Sequence, residues 1–372
     1  MEGGGKRREK HMRAAVCTRF GEPFEIRHLD LTPPGRNEVH VRIMACAICH
    51  SDITYADGGW GGEAPLVLGH EASGEVISVG DGVDDLAPGD RLVVTLIRSC
   101  GTCPCCSRGY HATCETHARD MDTHLSYQGK PVGQGLKTAA FAEETVVHRS
   151  QVVKISNDLP WDVAALLACG VITGYGAVEN TAAMPEGATV AVIGCGGVGL
   201  NAVQAARIGA AARIIAVDVS PRRCQAAMTF GATEFVNALE RDAIRYVRSA
   251  TGGRGADFVF VTVGSEDAIN TSFRMCAPGG ASVLVGMPHN EARARFSPVA
   301  LSAASQRILG SVMGHTDPQI GIPALIARYD AGELKLDELI SSHFTLDGIN
   351  EAMDATRAGS GLRNVVMIGA AL

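Results

Sequence analysis

The chain has no surplus of positive charge: 33 Lys and Arg stand against 40 Asp and Glu, a net charge of -7 at pH 7. A nucleic-acid partner would want a basic face or stripe. The one basic run, Lys6-Arg7-Arg8-Glu9-Lys10, sits behind three glycines at the start of the chain. There is no apolar stretch near the roughly 20 residues that cross a bilayer, and no signal-peptide pattern. No membrane partner is expected, and a cytoplasmic location is. Internal repeats and low-complexity segments are also missing beyond the first residues. Residues 1–11 read as a disordered leader or tag, with Met12 the expected native start. What remains is a globular composition of 372 residues, enough for about two domains.

Cysteine is plentiful, with twelve. Where thiols are kept reduced, metal is a better reading than disulfides. Cys100, Cys103, Cys106 and Cys114, spaced x₂, x₂ and x₇, suit a tetrathiolate zinc clamp with no open position, and free thiols are the alternative. Cys105 lies beside a ligand and could replace it. Ala47-Ile-Cys49-His50-Ser51-Asp52, Gly69-His70-Glu71 and the distant Cys169 together offer two thiolates and an imidazole, the set of a zinc that keeps its fourth position for water or substrate. Ser51, Asp52 and Glu71 would supply a proton carrier and ligand partners, or be ordinary polar residues. Cys17, Cys46, Cys195, Cys224 and Cys276, with Cys105, otherwise read as small buried hydrophobes.

Short apolar alternations over 12–25, 38–45, 69–79, 90–96 and 141–155, broken by Gly and Pro, predict a β-rich first domain. Residues 115–136 read as a loop over the mouth of the site, and 161–168 as a short helix ending before Cys169. From Thr189 the texture becomes strand, glycine turn, helix. Gly194-Cys-Gly196-Gly197-Val198-Gly199 follows a strand and opens a helix to about Gly209, and a second strand ends at Asp218. Gly194 permits the tight turn, Gly196 lets the backbone approach a pyrophosphate, and Gly199 allows close helix packing. Asp218 should accept from ribose hydroxyls and repel a 2′-phosphate, pointing to NAD over NADP although Arg222 and Arg223 follow. Further strands at 232–237, 256–264, 281–287 and 307–314 complete a doubly wound parallel sheet. Helices over 320–332 and 347–358 and a strand at 364–368 follow.

These motifs, with the cysteine lobe and Leu167-Ala-Cys169-Gly-Val-Ile-Thr173-Gly-Tyr-Gly176, resemble the zinc-dependent alcohol dehydrogenases of the medium-chain dehydrogenase/reductase family. Tyr55–Trp60 and Ala72–Glu75 look most similar to its class III-like bacterial branch. The resemblance implies an α/β protein: a β-rich GroES-like catalytic domain from 12–170 and 313–372, and a Rossmann NAD-binding domain at 171–312. It makes Cys169 the third ligand; from the residues alone Cys169 would be a core cysteine. It implies one catalytic and one structural zinc, NAD, an alcohol or aldehyde substrate, and a homodimer or homotetramer. His50, Thr173, Arg223, Val285 and Arg363 would join Gly194, Gly196, Gly197, Val198, Gly199 and Asp218 around the cofactor. Ser51 would take the alcohol's proton, Asp52 would hold His70, and Glu71 would lie near the metal.

Two departures from the pattern stand out. Thr54 occupies the position where many members carry a proton-relaying histidine, so His50 would serve that purpose too. Leu96 replaces a common aromatic, widening the pocket unless Trp60 closes it. Arg98 and Arg119 are candidates for an anionic substrate tail. The rival readings are a thiol-adduct formaldehyde dehydrogenase and a non-catalytic dinucleotide-binding relative.

Overall fold

A computed structural model describes residues 10–117 and 123–369. Strands β1 (Lys10–Cys17), β2 (Glu25–Leu31) and β3 (Glu38–Ala47) lead to the short helix α1 (His50–Ala56). The alternation predicted from sequence is visible in β3, whose residues largely alternate between buried and partly exposed. β4 (Leu66–Val67), β5 (Glu71–Val79) and β6 (Arg91–Thr95) follow. β1 starts before Met12: Lys10 and His11 pair with Leu31 and Asp30, and His11 Nδ1 lies 2.8 Å from an Asp30 carboxylate oxygen. Those two residues are therefore part of the sheet.

The stretch expected as a loop over the site contains a hairpin instead, β7 (Leu125–Tyr127) and β8 (Lys130–Gln134). Its tip, Gln128-Gly129, has φ of 52° and 73°, the left-handed pair that matches the twist of a two-residue hairpin. The hairpin closes a barrel in the order β1-β2-β7-β8-β4. Residues 118–122, which include Arg119, lie outside the described residues. A second sheet is ordered β10 (Val152–Lys154), β6, β5, β3, β18 (Arg363–Met367), β17 (Ile340–Thr345), and β9 (Glu144–His148) also pairs with β3.

Helix α2 (Trp161–Leu166) does not end before Cys169 as expected. It passes through a π-type turn at Leu167–Val171 into α3 (Ile172–Gly176) and a further π-type turn to Thr181. No proline interrupts the run, and Gly174 and Gly176 are packed so closely that a Cβ on them would stand 2.1 and 2.5 Å from the Val198 and Gly314 carbonyl oxygens. The resulting 21-residue helix is apolar enough to cross a membrane by composition, contrary to the sequence reading, yet 89% of its apolar window is buried inside the protein. It is a core helix.

The six-stranded sheet is parallel and ordered β13 (Glu234–Asn237), β12 (Arg213–Asp218), β11 (Thr189–Ile193), β14 (Ala256–Val261), β15 (Cys276–Leu284), β16 (Arg307–Gly310). Its central strands are continuous apolar runs because helices cover both faces. The connecting helices are α4 (Gly197–Ile208), α5 (Pro221–Phe230), α6 (Ala243–Ala250), α7 (Glu266–Met275) and α8 (Pro298–Ala303). α9 (Pro318–Asp330) and α10 (Ile349–Arg357) come after the sheet. By contacts the chain forms two compact units. One holds residues 1–98, 116–168 and 342–372; the other holds 99–115 and 169–341.

Candidate active site

α1 begins where β3 ends, and its capping residue is Cys49. Asp52 folds back on that turn: Oδ2 accepts from the Cys49 N–H at 3.1 Å and Oδ1 from the Gly69 N–H at 3.0 Å. The same Oδ1 lies 3.0 Å from His70 Nδ1. Asp52 and His70 are both fully buried. A carboxylate this short and this surrounded fixes the ring's orientation and its Nδ1–H tautomer. Among the described residues, His70 Nε2 is then buried with no hydrogen-bond partner.

Cys49, His70, Glu71 and Cys169 each present one ligand atom, all within 4.8 Å of one another, and all four residues are buried. Cys169 directly follows Ala168, whose carbonyl accepts from Thr95 Oγ1 at the end of β6, at 2.6 Å. Glu71 is held by Arg363, which donates to Oε2, while Oε1 is buried with no partner among the described residues. Burial pushes the Glu71 carboxyl up to about 7, against the pull of Arg363. Burial also disfavours charge on His70, but Asp52 outweighs it and holds the imidazole well above its ordinary value. Orphaned Nε2 and Oε1 atoms beside two thiols, in a pocket whose acids draw positive charge, suit a zinc ion. The sequence reading placed Arg363 near the cofactor; it did not foresee the pairing with Glu71.

Ser51 lies at the first turn of α1, half-buried, and His50 before it is exposed to solvent. Trp60 sets its ring edge-on to Tyr55, centroids 6.2 Å apart. Thr173 is buried one turn beyond Cys169, with Oγ1 at 4.0 Å from the sulfur. Met313 was not anticipated: its sulfur lies 3.7 Å from Cys169 Sγ and 3.6 Å from Thr173 Oγ1. Nothing in the sequence around Met313 signals this contact.

In the cysteine lobe, Cys100, Cys103, Cys106 and Cys114 also lie within 4.8 Å of one another. Backbone N–H groups of Thr102 and Cys103 donate to Cys100 Sγ at 3.4 and 3.3 Å, and that of Cys106 to Cys103 Sγ at 3.5 Å. Such turns stabilise thiolates and suit a closed tetrathiolate zinc. Cys105 turns away and donates to Glu115 at 3.1 Å.

The glycine loop has the form its motif requires. Gly194 has φ 93°, and a Cβ on Gly199 would stand 1.8 Å from the Gly194 carbonyl oxygen. A Cβ on Gly196 would meet nothing within 4 Å, so open space lies beside the start of α4, whose capping residue Gly196 brings no side-chain capping bond. Asp218 is buried at the end of β12. It accepts from the Cys195 N–H at 2.6 Å and the Ser220 N–H at 2.9 Å, which holds the carboxylate rigid for a further acceptor role. Arg223 lies in the first turn of α5, its N–H on Ser220 Oγ at 3.4 Å. Val285 is buried just beyond β15. This cradle suits a dinucleotide.

Comparison with known proteins agrees with the geometry. Residues 35–157 match the family described as alcohol dehydrogenase GroES-like domain, and 197–328 the family described as zinc-binding dehydrogenase. Alcohol dehydrogenase class-P of Arabidopsis thaliana is 35% identical over 373 residues, covering 96% of this chain and 97% of that protein. The solved benzyl alcohol dehydrogenase of Acinetobacter calcoaceticus superposes with a TM-score of 0.91 at 30% identity, covering 96% and 99% of the two chains. A zinc-binding dehydrogenase structure from Sinorhizobium meliloti 1021, solved with NADP bound, gives 0.82 at 25% identity, covering 96% and 100%.

Proposed function

The chain belongs to the zinc-dependent alcohol dehydrogenases of the medium-chain family, an oxidoreductase class, and on that premise we propose that it oxidises an alcohol to an aldehyde or ketone, and the reverse, with NAD as hydride carrier. The observation that carries this reading is the buried convergence of Cys49, His70 and Cys169, with His70 Nε2 lacking a partner among the described residues. Those three residues would hold the catalytic zinc. The lobe cysteines Cys100, Cys103, Cys106 and Cys114 would hold the structural one. Bound zinc supplies Lewis acidity, which lowers the pKa of a hydroxyl in the site.

The protein's own groups do the rest. Asp52 keeps His70 in the ligating tautomer. Ser51 Oγ receives the alcohol's proton and passes its own onward; a hydroxyl relays but is a poor final base. His50 adjoins it in sequence and is exposed, so it can release the proton to water. Gly194, Gly196, Gly197, Val198 and Gly199 would cradle the pyrophosphate, with His50 beside it. Asp218 and Arg223 would hold the adenosine ribose, and Thr173, Val285 and Arg363 would line the nicotinamide end. Asp218 would disfavour a 2′-phosphate, so NAD is expected over NADP. The proposal extends to a catalytic domain of 12–170 and 313–372, a cofactor domain of 171–312, and a homodimer or homotetramer.

The experiment is a panel of primary, secondary, aromatic and thiol-adduct alcohols, each with NAD and with NADP, followed by reduced-cofactor absorbance. Turnover of simple alcohols with NAD is expected. Turnover confined to formaldehyde plus an added thiol would assign the class III-like activity instead, and a preference for NADP would overturn the role of Asp218.

A further inference from the structure

The cysteine lobe, residues 99–115, shares a compact unit with residues 169–341. Its tip meets a backbone turn that ends at the proposed metal site. Met313, Gly314 and His315 are three consecutive residues in the left-handed region, at φ 49°, 62° and 48°. Two of them are not glycine, so the surroundings must enforce the conformation.

The inner side of the turn is pinned on the core helix. A Cβ on Gly314 would stand 2.4 Å from the Ile172 carbonyl oxygen, and one on Gly176 would stand 2.5 Å from that of Gly314. Asn180 Nδ2 donates to the Gly314 carbonyl at 3.0 Å. The outer side is held by the lobe. Tyr110 and His315 meet edge to face with centroids 4.9 Å apart, and His111 Nε2 lies 3.5 Å from Asp317 Oδ2. A cleft of about 510 Å³, lined among others by Gly109, His111, His315, Asp317 and Ile320, opens beside these contacts. Densely packed core does not fill that space, so the two side-chain contacts matter more to the turn's position.

We propose that Tyr110 and His111 are positioning residues: by holding the Met313–His315 turn from outside, they keep the Met313 thioether against Cys169 and Thr173. The thioether covers the thiolate's flank without donating to it. Displaced, it would admit water, whose hydrogen bonds to the sulfur weaken its donation to a metal. The tetrathiolate lobe thereby sets the electron donation of the third catalytic ligand as well as the protein's stability. The inference rests on the reading of Cys169 as a zinc ligand.

Tyr110→Ala, Tyr110→Phe and His111→Ala are prepared as holoenzyme and assayed for metal per chain. Cobalt(II) is then exchanged into the catalytic site, and the thiolate-to-cobalt absorption band is recorded beside kcat and KM. The expected result is a full metal complement in all three. The band shifts and kcat falls on the order of tenfold in Tyr110→Ala, less in His111→Ala, with both restored in Tyr110→Phe, which keeps the ring. An unshifted band and unchanged kcat in Tyr110→Ala overturn the proposal. So does loss of only the lobe metal with an unshifted catalytic band, which would make Tyr110 structural alone. Should Tyr110→Ala fail to fold, His111→Ala decides by the same band and rate. Failure of the wild type itself to take cobalt at Cys49, His70 and Cys169 would instead strike the catalytic reading.

Discussion

Asp52 carries several loads at once, which makes its replacement informative. Its two oxygens accept from Cys49 N–H, Gly69 N–H and His70 Nδ1, all buried. Asn offers one acceptor oxygen and turns an NH₂ toward a neighbour that also donates. Asp52→Asn is therefore expected to cost about 1–3 kcal/mol of stability and to weaken zinc binding about 10- to 100-fold. Denaturant unfolding and a competitive zinc titration check the two effects separately. Stability and zinc affinity both unchanged would show that His70 does not depend on Asp52. Such residue-level roles were partly legible. Asp52 stands three residues after Cys49, and Glu71 directly follows His70, so both had to lie near the ligands. The pairing of Glu71 with Arg363 was not legible, because 292 residues separate the partners. Only the antiparallel register of β18 on β3 brings their strands together.

At the scale of elements, the cysteine lobe is the clearest separable piece. Four thiolates supply most of its cohesion: among its described residues the buried cluster is Cys103, Cys106 and Cys114 with Cys100 and Cys105 packed on it. Cys106→Ser is expected to lower the melting temperature and the yield, because a closed zinc site contributes folding energy. A melting curve equal to wild type, followed by scanning calorimetry, would show the lobe is not metal-clamped. The grouping of the four lobe cysteines was legible from their spacing, since they are local in sequence. It misjudged elements whose state depends on distant partners. The β7–β8 hairpin is short and polar and becomes strand only through β2 and β4. The helix through Cys169 continues because packing absorbs its glycines. The parallel sheet was legible because its strands are long apolar runs between glycine turns, although β15 begins at Cys276, earlier than expected.

For the whole molecule, the two ligand clusters among the described residues would do different work. Closed and tetrathiolate, the lobe site would support the fold. The other, Cys49, His70 and Cys169, offers three ligand atoms and would leave a fourth position for substrate. Zinc per chain, measured by mass spectrometry on wild type and on Cys169→Ser, tests that claim most directly. The account predicts two zinc ions in the wild type, matching the two ligand clusters among the described residues. Cys169→Ser should retain one, at the lobe, and lose alcohol-dependent NADH formation while still binding NAD. Two zinc ions and undiminished turnover in Cys169→Ser would contradict it.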